Sequence, residues 1–238
     1  MGIVEDFHAA VVGGTTGVLA DRHRRAFVDG MAARLANDNE PSDWYVPPPP
    51  PSPWPLATYP SVIALAGPAG SGKSTAARHL IEQHGYTLVK FAGPLKAMMR
   101  AIGLTDEHIE GSLKEVPCKL LCGKTPRWAM QSIGSNWARD MIGPDLWRNI
   151  WFDTAADVLD QGGRVVCDDM RFANEEAAVR DLGGRVVQLF GRGGIAGWHV
   201  SESYQPKADS RVWNGEGADL PGALDIALEA WSDAREAA

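Results

Sequence analysis

Lys73 and Ser74 close the loop "LAGPAGSGKST", in which Gly67, Gly72, Lys73 and Ser74 satisfy the spacing GxxxxGK[ST]. Glycine lets the backbone turn tightly enough for amides from Ala69 to Ser74 to point into one concavity, where they can wrap a phosphate. Lys73 can span two neighbouring phosphates, Ser74 can ligate Mg²⁺, and Thr75 belongs to the first turn of the helix that follows. Gly67, Ala69, Gly70, Ser71, Gly72, Lys73, Ser74 and Thr75 are therefore the candidate cradle for a nucleotide's phosphates. GTPases, ATPases and kinases all use such a loop, so the fate of the phosphate must be read from other residues.

Three further stretches carry chemistry. In "VVCDDMRFANEEAA" an apolar strand ends in Asp168 and Asp169, where ligands of parallel sheets collect. One carboxylate can organise a metal-bound water and the other the acceptor; Asp168 is assigned here to the metal with Ser74, and Asp169 to the acceptor. Arg171 can steady an acceptor phosphate. The alternative is a strand-end turn held by an ion pair. In "KTPRWAMQSIGSNWARDMIGPDLW" a helix beginning at Thr125 and Pro126 puts Arg127, Gln131, Ser135 and Arg139 at spacings of four, on one face. Arginine reads a phosphate and an amide reads a base edge, while Trp128, Trp137 and Trp147 suit packing or stacking; surface charge is the alternative for the arginines. In "FGRGGIAGWHVSE" four glycines suit a mobile flap that brings Arg192 to a transferring phosphoryl group. His199 can donate to phosphate or cap a turn.

These residues need a scaffold that gathers strand ends. "SVIALAG", "YTLVKF", "GRVVCDD" and "RVVQLF" read as strands, the first and third of them short apolar runs of the kind buried on both faces of a parallel sheet. Helical patterns alternate with them: residues 74–85, closed by Gly85, then 94–102, 126–141, 146–159, 174–182 and 221–234. The alternation predicts an α/β fold, a three-layer domain with a mainly parallel sheet, spanning residues 59–238. Ahead of it, residues 26–35 carry apolar side chains at helical spacing, and "VPPPPPSPWP" within residues 37–58 favours an extended linker or arm.

Composition narrows the class. A net charge of −7 over 238 residues disfavours coating of nucleic acid by general positive potential. Three cysteines give no disulfide framework, and the spacing of Cys118 and Cys122 suits structural thiols rather than a metal site. No basic start with an apolar run and no apolar span of membrane length is present, so the expectation is a soluble, cytoplasmic protein with no membrane partner.

The pieces "GPAGSGKST", "FAGPLK", "TPRWAMQSIGSNWARDMIGPDLW", "DDMRFANEEAAVRDLGG" and "HVSE", in that order across residues 62–214, resemble the bacteriophage deoxynucleoside monophosphate kinases. The resemblance implies a P-loop kinase fold with a helical acceptor-binding insertion, ATP and Mg²⁺ as cofactors, and transfer of a phosphoryl group to a deoxynucleoside monophosphate for DNA precursor synthesis. It implies an acceptor side built from Arg127, Gln131, Arg139, Asp169 and Arg171, a closing Arg192, a homodimer, and the cytoplasm of an infected host cell. Two positions depart from the family pattern: Ser74 stands where aspartate is frequent, and Gly93 where an acidic residue is frequent. The near rival is a kinase acting on a hydroxymethylated base in a nucleotide or in DNA. A nucleotide-driven switch or ATPase subunit is the rival from another class.

Overall fold

The computed structural model describes residues 59–194 and 204–236, with side chains through residue 231. All of them belong to the second of the chain's two compact units, Asp43–Ala238. The expected helix at residues 26–35, the proline-rich arm and His199 lie outside the described residues.

Among the described residues five strands make one sheet: β1 Val62–Ala66, β2 Tyr86–Leu88, β3 Arg164–Cys167, β4 Arg185–Phe190 and β5 Ser210–Trp213, in the order β2-β3-β1-β4-β5. Every pairing is parallel, with Ala64 opposite Cys167 on one side of β1 and Val186 on the other. Central parallel strands have no solvent face, which is why β1 reads as five consecutive apolar residues, all of them buried. The helices are α1 Lys73–His84, α2 Gly93–Ala101, α3 Asp106–Ile109, α4 Pro126–Gln131, α5 Leu146–Asp160, α6 Ala173–Asp181 and α7 Leu220–Glu236.

Alternate strand residues feed two cores. Val62, Ala64, Val165 and Cys167 pack against Trp151 and Ala155 of α5 and Ala178 and Val179 of α6. Ile63, Leu65, Val166 and Val187 pack against Ala77 and Leu80 of α1 and Leu224 and Leu228 of α7. The expected α/β fold of three layers is therefore present. Between β2 and β3 the helices α2, α3 and α4 bury Met99, Ile109, Ala129 and Met130 in a third cluster, the insertion's own core.

Two local expectations change. The helix expected over residues 126–141 is α-helical only through Gln131; Ser132–Ile142 continues with the wider i→i+5 winding of a π-helix. In either winding residues four apart lie within about 40° of one another, so the expected spacing of Arg127, Gln131, Ser135 and Arg139 survives the change. Strand β5 is an addition, since of its four residues only Val212 is buried and no apolar run announces it. Among the described residues, no helix is long and apolar enough to cross a membrane.

Candidate active site

The C-terminal ends of β1, β3 and β4 converge, and each delivers one part of the site. From β1 comes the phosphate loop. Gly72 sits at φ 100°, in the left-handed region, and a Cβ there would run into Asn214 Nδ2. Asn214 is buried at the end of β5, where its Nδ2 donates to Ser71 O at 2.8 Å and fixes the loop from behind. Lys73 Nζ donates to the carbonyls of Gly67 and Pro68 at 2.7 and 2.8 Å, which holds the ammonium over the loop.

From β3 come the two aspartates, and their surroundings differ. Asp168 is nearly enclosed; its Oδ2 accepts from Ser74 Oγ at 3.2 Å, and its Oδ1 has no hydrogen-bond partner, lying 3.3 Å from the Lys90 ammonium. A hydroxyl and an enclosed carboxylate, whose second oxygen faces the Lys90 ammonium, form an all-oxygen donor set, which fits Mg²⁺. Asp169 instead accepts from the amides of Phe91 and Ala92 at 3.0 and 2.9 Å, which turns the chain out of the second strand and into α2. Strand pairing of "YTLVKF" accordingly stops near Val89. Burial and the charge of Asp168 push the Asp169 carboxyl above its ordinary range, against those two amides. Burial opposes the Lys90 ammonium, but Asp168 and Asp169 outweigh it and hold Lys90 above its ordinary value.

From β4 comes the glycine-rich turn. Gly193, at φ 85°, lies so close to the phosphate loop that a Cβ would strike Ala69 O, and Gly194 N donates to the same oxygen at 2.8 Å. This contact sets Arg192 beside the loop, with its guanidinium next to Gly72.

Lys73, Asp169 and Arg171 line one cavity of about 240 Å³ together with Gly67, Pro68, Gln188, Tyr204 and Gln205. Thr75 is exposed in the first turn of α1. Arg127, Gln131 and Arg139 are not among the residues that line the cavity. Arg127 is half-exposed and paired with Glu115. Arg139 donates to Glu175 Oε1 at 2.7 Å and to Pro144 O at 3.2 Å, with its guanidinium 3.8 Å from the Phe172 ring centre. Glu175 also accepts from the amides of Arg171 and Phe172 at 2.7 and 3.2 Å, so one carboxylate positions both Arg139 and the start of α6. Burial raises that carboxyl to about 7, against the Arg171 amide and the Arg139 charge. Trp147 is buried and donates to Gly134 O at 2.9 Å, a packing role, whereas Trp128 is half-exposed beneath the Lys124 ammonium.

Lys90, Glu175, Gln188, Tyr204 and Asn214 escaped the sequence reading. For Asn214 a local signal existed in the asparagine–glycine turn of "VWNGEG", and for Glu175 in its place in the first turn of a helix; the others acquire their meaning from partners far along the chain.

No protein-family model matches the chain. Over 148 residues it is 36% identical to the "Putative deoxynucleotide monophosphate kinase" of Acanthamoeba polyphaga mimivirus, spanning 57% of this chain and 76% of that protein. Among solved structures, TT1252 from Thermus thermophilus aligns with a TM-score of 0.44 at 18% identity, over 72% of this chain and 97% of its own. Shikimate kinase from Acinetobacter baumannii in complex with shikimate aligns with a TM-score of 0.41 at 17% identity, over 75% and 96%. By its match to the mimivirus protein, the chain belongs to the deoxynucleotide monophosphate kinase family.

Proposed function

We propose that the protein transfers the γ-phosphoryl group of ATP to a deoxynucleoside 5′-monophosphate. An oxygen of the acceptor phosphate attacks the γ-phosphorus, the bond from that phosphorus to the bridging oxygen breaks, and ADP and a deoxynucleoside diphosphate leave. The observation that carries this reading is the meeting of two sets of groups at one sheet edge. Lys73 and Arg171 line a shared cavity, and the Ser74–Asp168 pair lies beside it. A phosphate loop alone would serve hydrolysis equally well; a second cation across the same cavity suits an acceptor that is itself a phosphate.

In this reading the loop amides and Lys73 bind the donor's β- and γ-phosphates, and Ser74 and Asp168 hold the Mg²⁺ that neutralises them. Arg171 fixes the acceptor phosphate in line, and Arg192 closes on the transferring group from the glycine turn. Asp169 acts through the turn it holds, since both its oxygens accept backbone amides. Arg127, Gln131 and Arg139 form the acceptor's base-side wall on the α4 and π-helical segment. Opening of the Arg127–Glu115 pair, which is exposed and weak, frees that guanidinium for the acceptor.

The test is incubation with ATP, Mg²⁺ and each monophosphate in turn, with ribonucleotide, hydroxymethylpyrimidine and no-acceptor controls and mass analysis of the products. The expected result is ADP together with a matching deoxynucleoside diphosphate. ADP without any diphosphate would contradict the reading.

A further inference from the structure

Along α1, away from the phosphate loop, two imidazoles meet a carboxylate of the last helix. His79 Nε2 and His84 Nε2 lie 2.7 and 2.8 Å from the same oxygen, Oδ1 of Asp225 on α7. The three ligand atoms lie within 4.8 Å of one another. The two rings stand nearly perpendicular, 5.3 Å between centres, so their Nε2 edges converge on one point rather than stacking. Tyr59 packs edge-on against His84 at 5.5 Å and fixes that ring from the other side. Both imidazoles are 14% exposed while the carboxylate is 40% exposed, so the rings are held by packing and the third ligand opens to water.

We propose that His79, His84 and Asp225 bind a divalent transition ion of the Zn²⁺ type, separate from the Mg²⁺ that accompanies the nucleotide. Two imidazole nitrogens and one carboxylate oxygen are the donors such an ion prefers, and water supplies the fourth position. Mg²⁺, which demands oxygen ligands, has little affinity for them. Tetrahedral coordination at the usual bond lengths sets ligand atoms about 3.3 Å apart. The present nitrogen–oxygen contacts are shorter because they are N–H···O hydrogen bonds; to admit the ion each must lengthen by about half an ångström, within side-chain torsional freedom, and the two imidazole nitrogens must come to the same separation. To bind the ion each ring presents its Nε2 lone pair and keeps a proton on Nδ1.

The partners are separated by 146 and 141 residues, which is why no ligand spacing is visible in the sequence. An ion here would clip α7 to α1. The first helix begins with Lys73 and Ser74, and Leu220 at the start of α7 borders Gly72, so the clip would brace the wall behind the phosphate loop.

The experiment uses the untagged full-length chain, stripped with a chelator and titrated with Co²⁺ and then Zn²⁺. The expected result is the intense visible absorption of four-coordinate Co²⁺, saturating at one equivalent, lost on addition of Zn²⁺, and a Zn²⁺-dependent rise in Tm. His84→Gln keeps a donor to Asp225 but removes the ligand. It should fold, abolish the Co²⁺ band and weaken Zn²⁺ binding by about tenfold or more, since changing even an outer partner has that effect. Asp225→Asn should do the same, and Cys118→Ser with Cys122→Ser should change neither. Absence of the band in the wild type, its loss in the cysteine variant, or equal Zn²⁺ affinity in folded His84→Gln would overturn the proposal.

Discussion

Lys73 and the aspartate pair show how far a single residue's role follows from its neighbours. The phosphate loop was legible because its chemistry is local: amides, lysine and hydroxyl lie within eight consecutive positions and sit where a strand meets a helix. Asp168 and Asp169 were legible as a pair but not as different groups, because their difference lies in distant partners, Ser74 and Lys90 for one and the Phe91 and Ala92 amides for the other. Lys73→Ala should reduce transfer by about 10²–10³-fold, the scale of losing a preorganised charge-stabilising group, with unchanged circular dichroism. Full activity in that variant would remove the proposed donor site. Asp168→Asn should raise the Mg²⁺ concentration needed for half-maximal rate at little expense in stability. Asp169→Asn should instead lower unfolding stability by about 1–3 kcal/mol, because a turn's buried amides lose their carboxylate. A Mg²⁺ titration and a denaturant melt on both variants separate the roles; matching profiles would show that they share one.

At the scale of elements, the sheet's inner strands and their helices follow from apolar runs and glycine stops, since burial on both faces leaves little choice of residue. The edge strand β5 and the π-helical segment do not, because each is set by packing. What fixes β5 is Asp209, whose carboxylate accepts from Val186 N at 2.7 Å and from Arg185 at 3.3 Å and pairs with Arg180. Burial works against this carboxylate, but the Val186 amide and the two arginines hold it below the usual carboxylate range. A carboxyl whose pKa is lower folded than unfolded stabilises above its unfolded value, about 4, and loses that contribution as pH falls through the folded value. Asp209→Asn should therefore lower stability near neutral pH by about 1–2 kcal/mol and make the acid limb of a stability–pH curve shallower. Parallel curves for the two proteins would show that Asp209 does not link β5 to protonation. The acceptor segment is testable in the same way: Arg127→Ala should weaken use of the monophosphate more than ATP binding, and equal losses in titrations of both ligands would remove it from the acceptor wall.

For the molecule as a whole, charge separates a small acceptor from a polymer. A net charge of −7 gives DNA no broad positive surface, and affinity for its backbone depends on phosphate neutralisation. Duplex or single-stranded DNA should accordingly neither accept the phosphoryl group nor inhibit transfer to a monophosphate at physiological salt. DNA-dependent ADP release would reassign the acceptor. Fold class was thus readable from sequence, as was the loop of the proposed donor site, whereas the cavity that joins Arg171 to Lys73 exists only once β3, β1 and the chain before β5 are side by side. The most direct measurement of the central claim follows the label from ATP carrying a marked γ-phosphorus, in the presence of Mg²⁺ and a deoxynucleoside monophosphate. Label should appear in the deoxynucleoside diphosphate, in proportion to ADP formed, and fall to background with Lys73→Ala. Label recovered only as inorganic phosphate, at the same rate with and without the monophosphate, would contradict phosphoryl transfer and leave an ATPase.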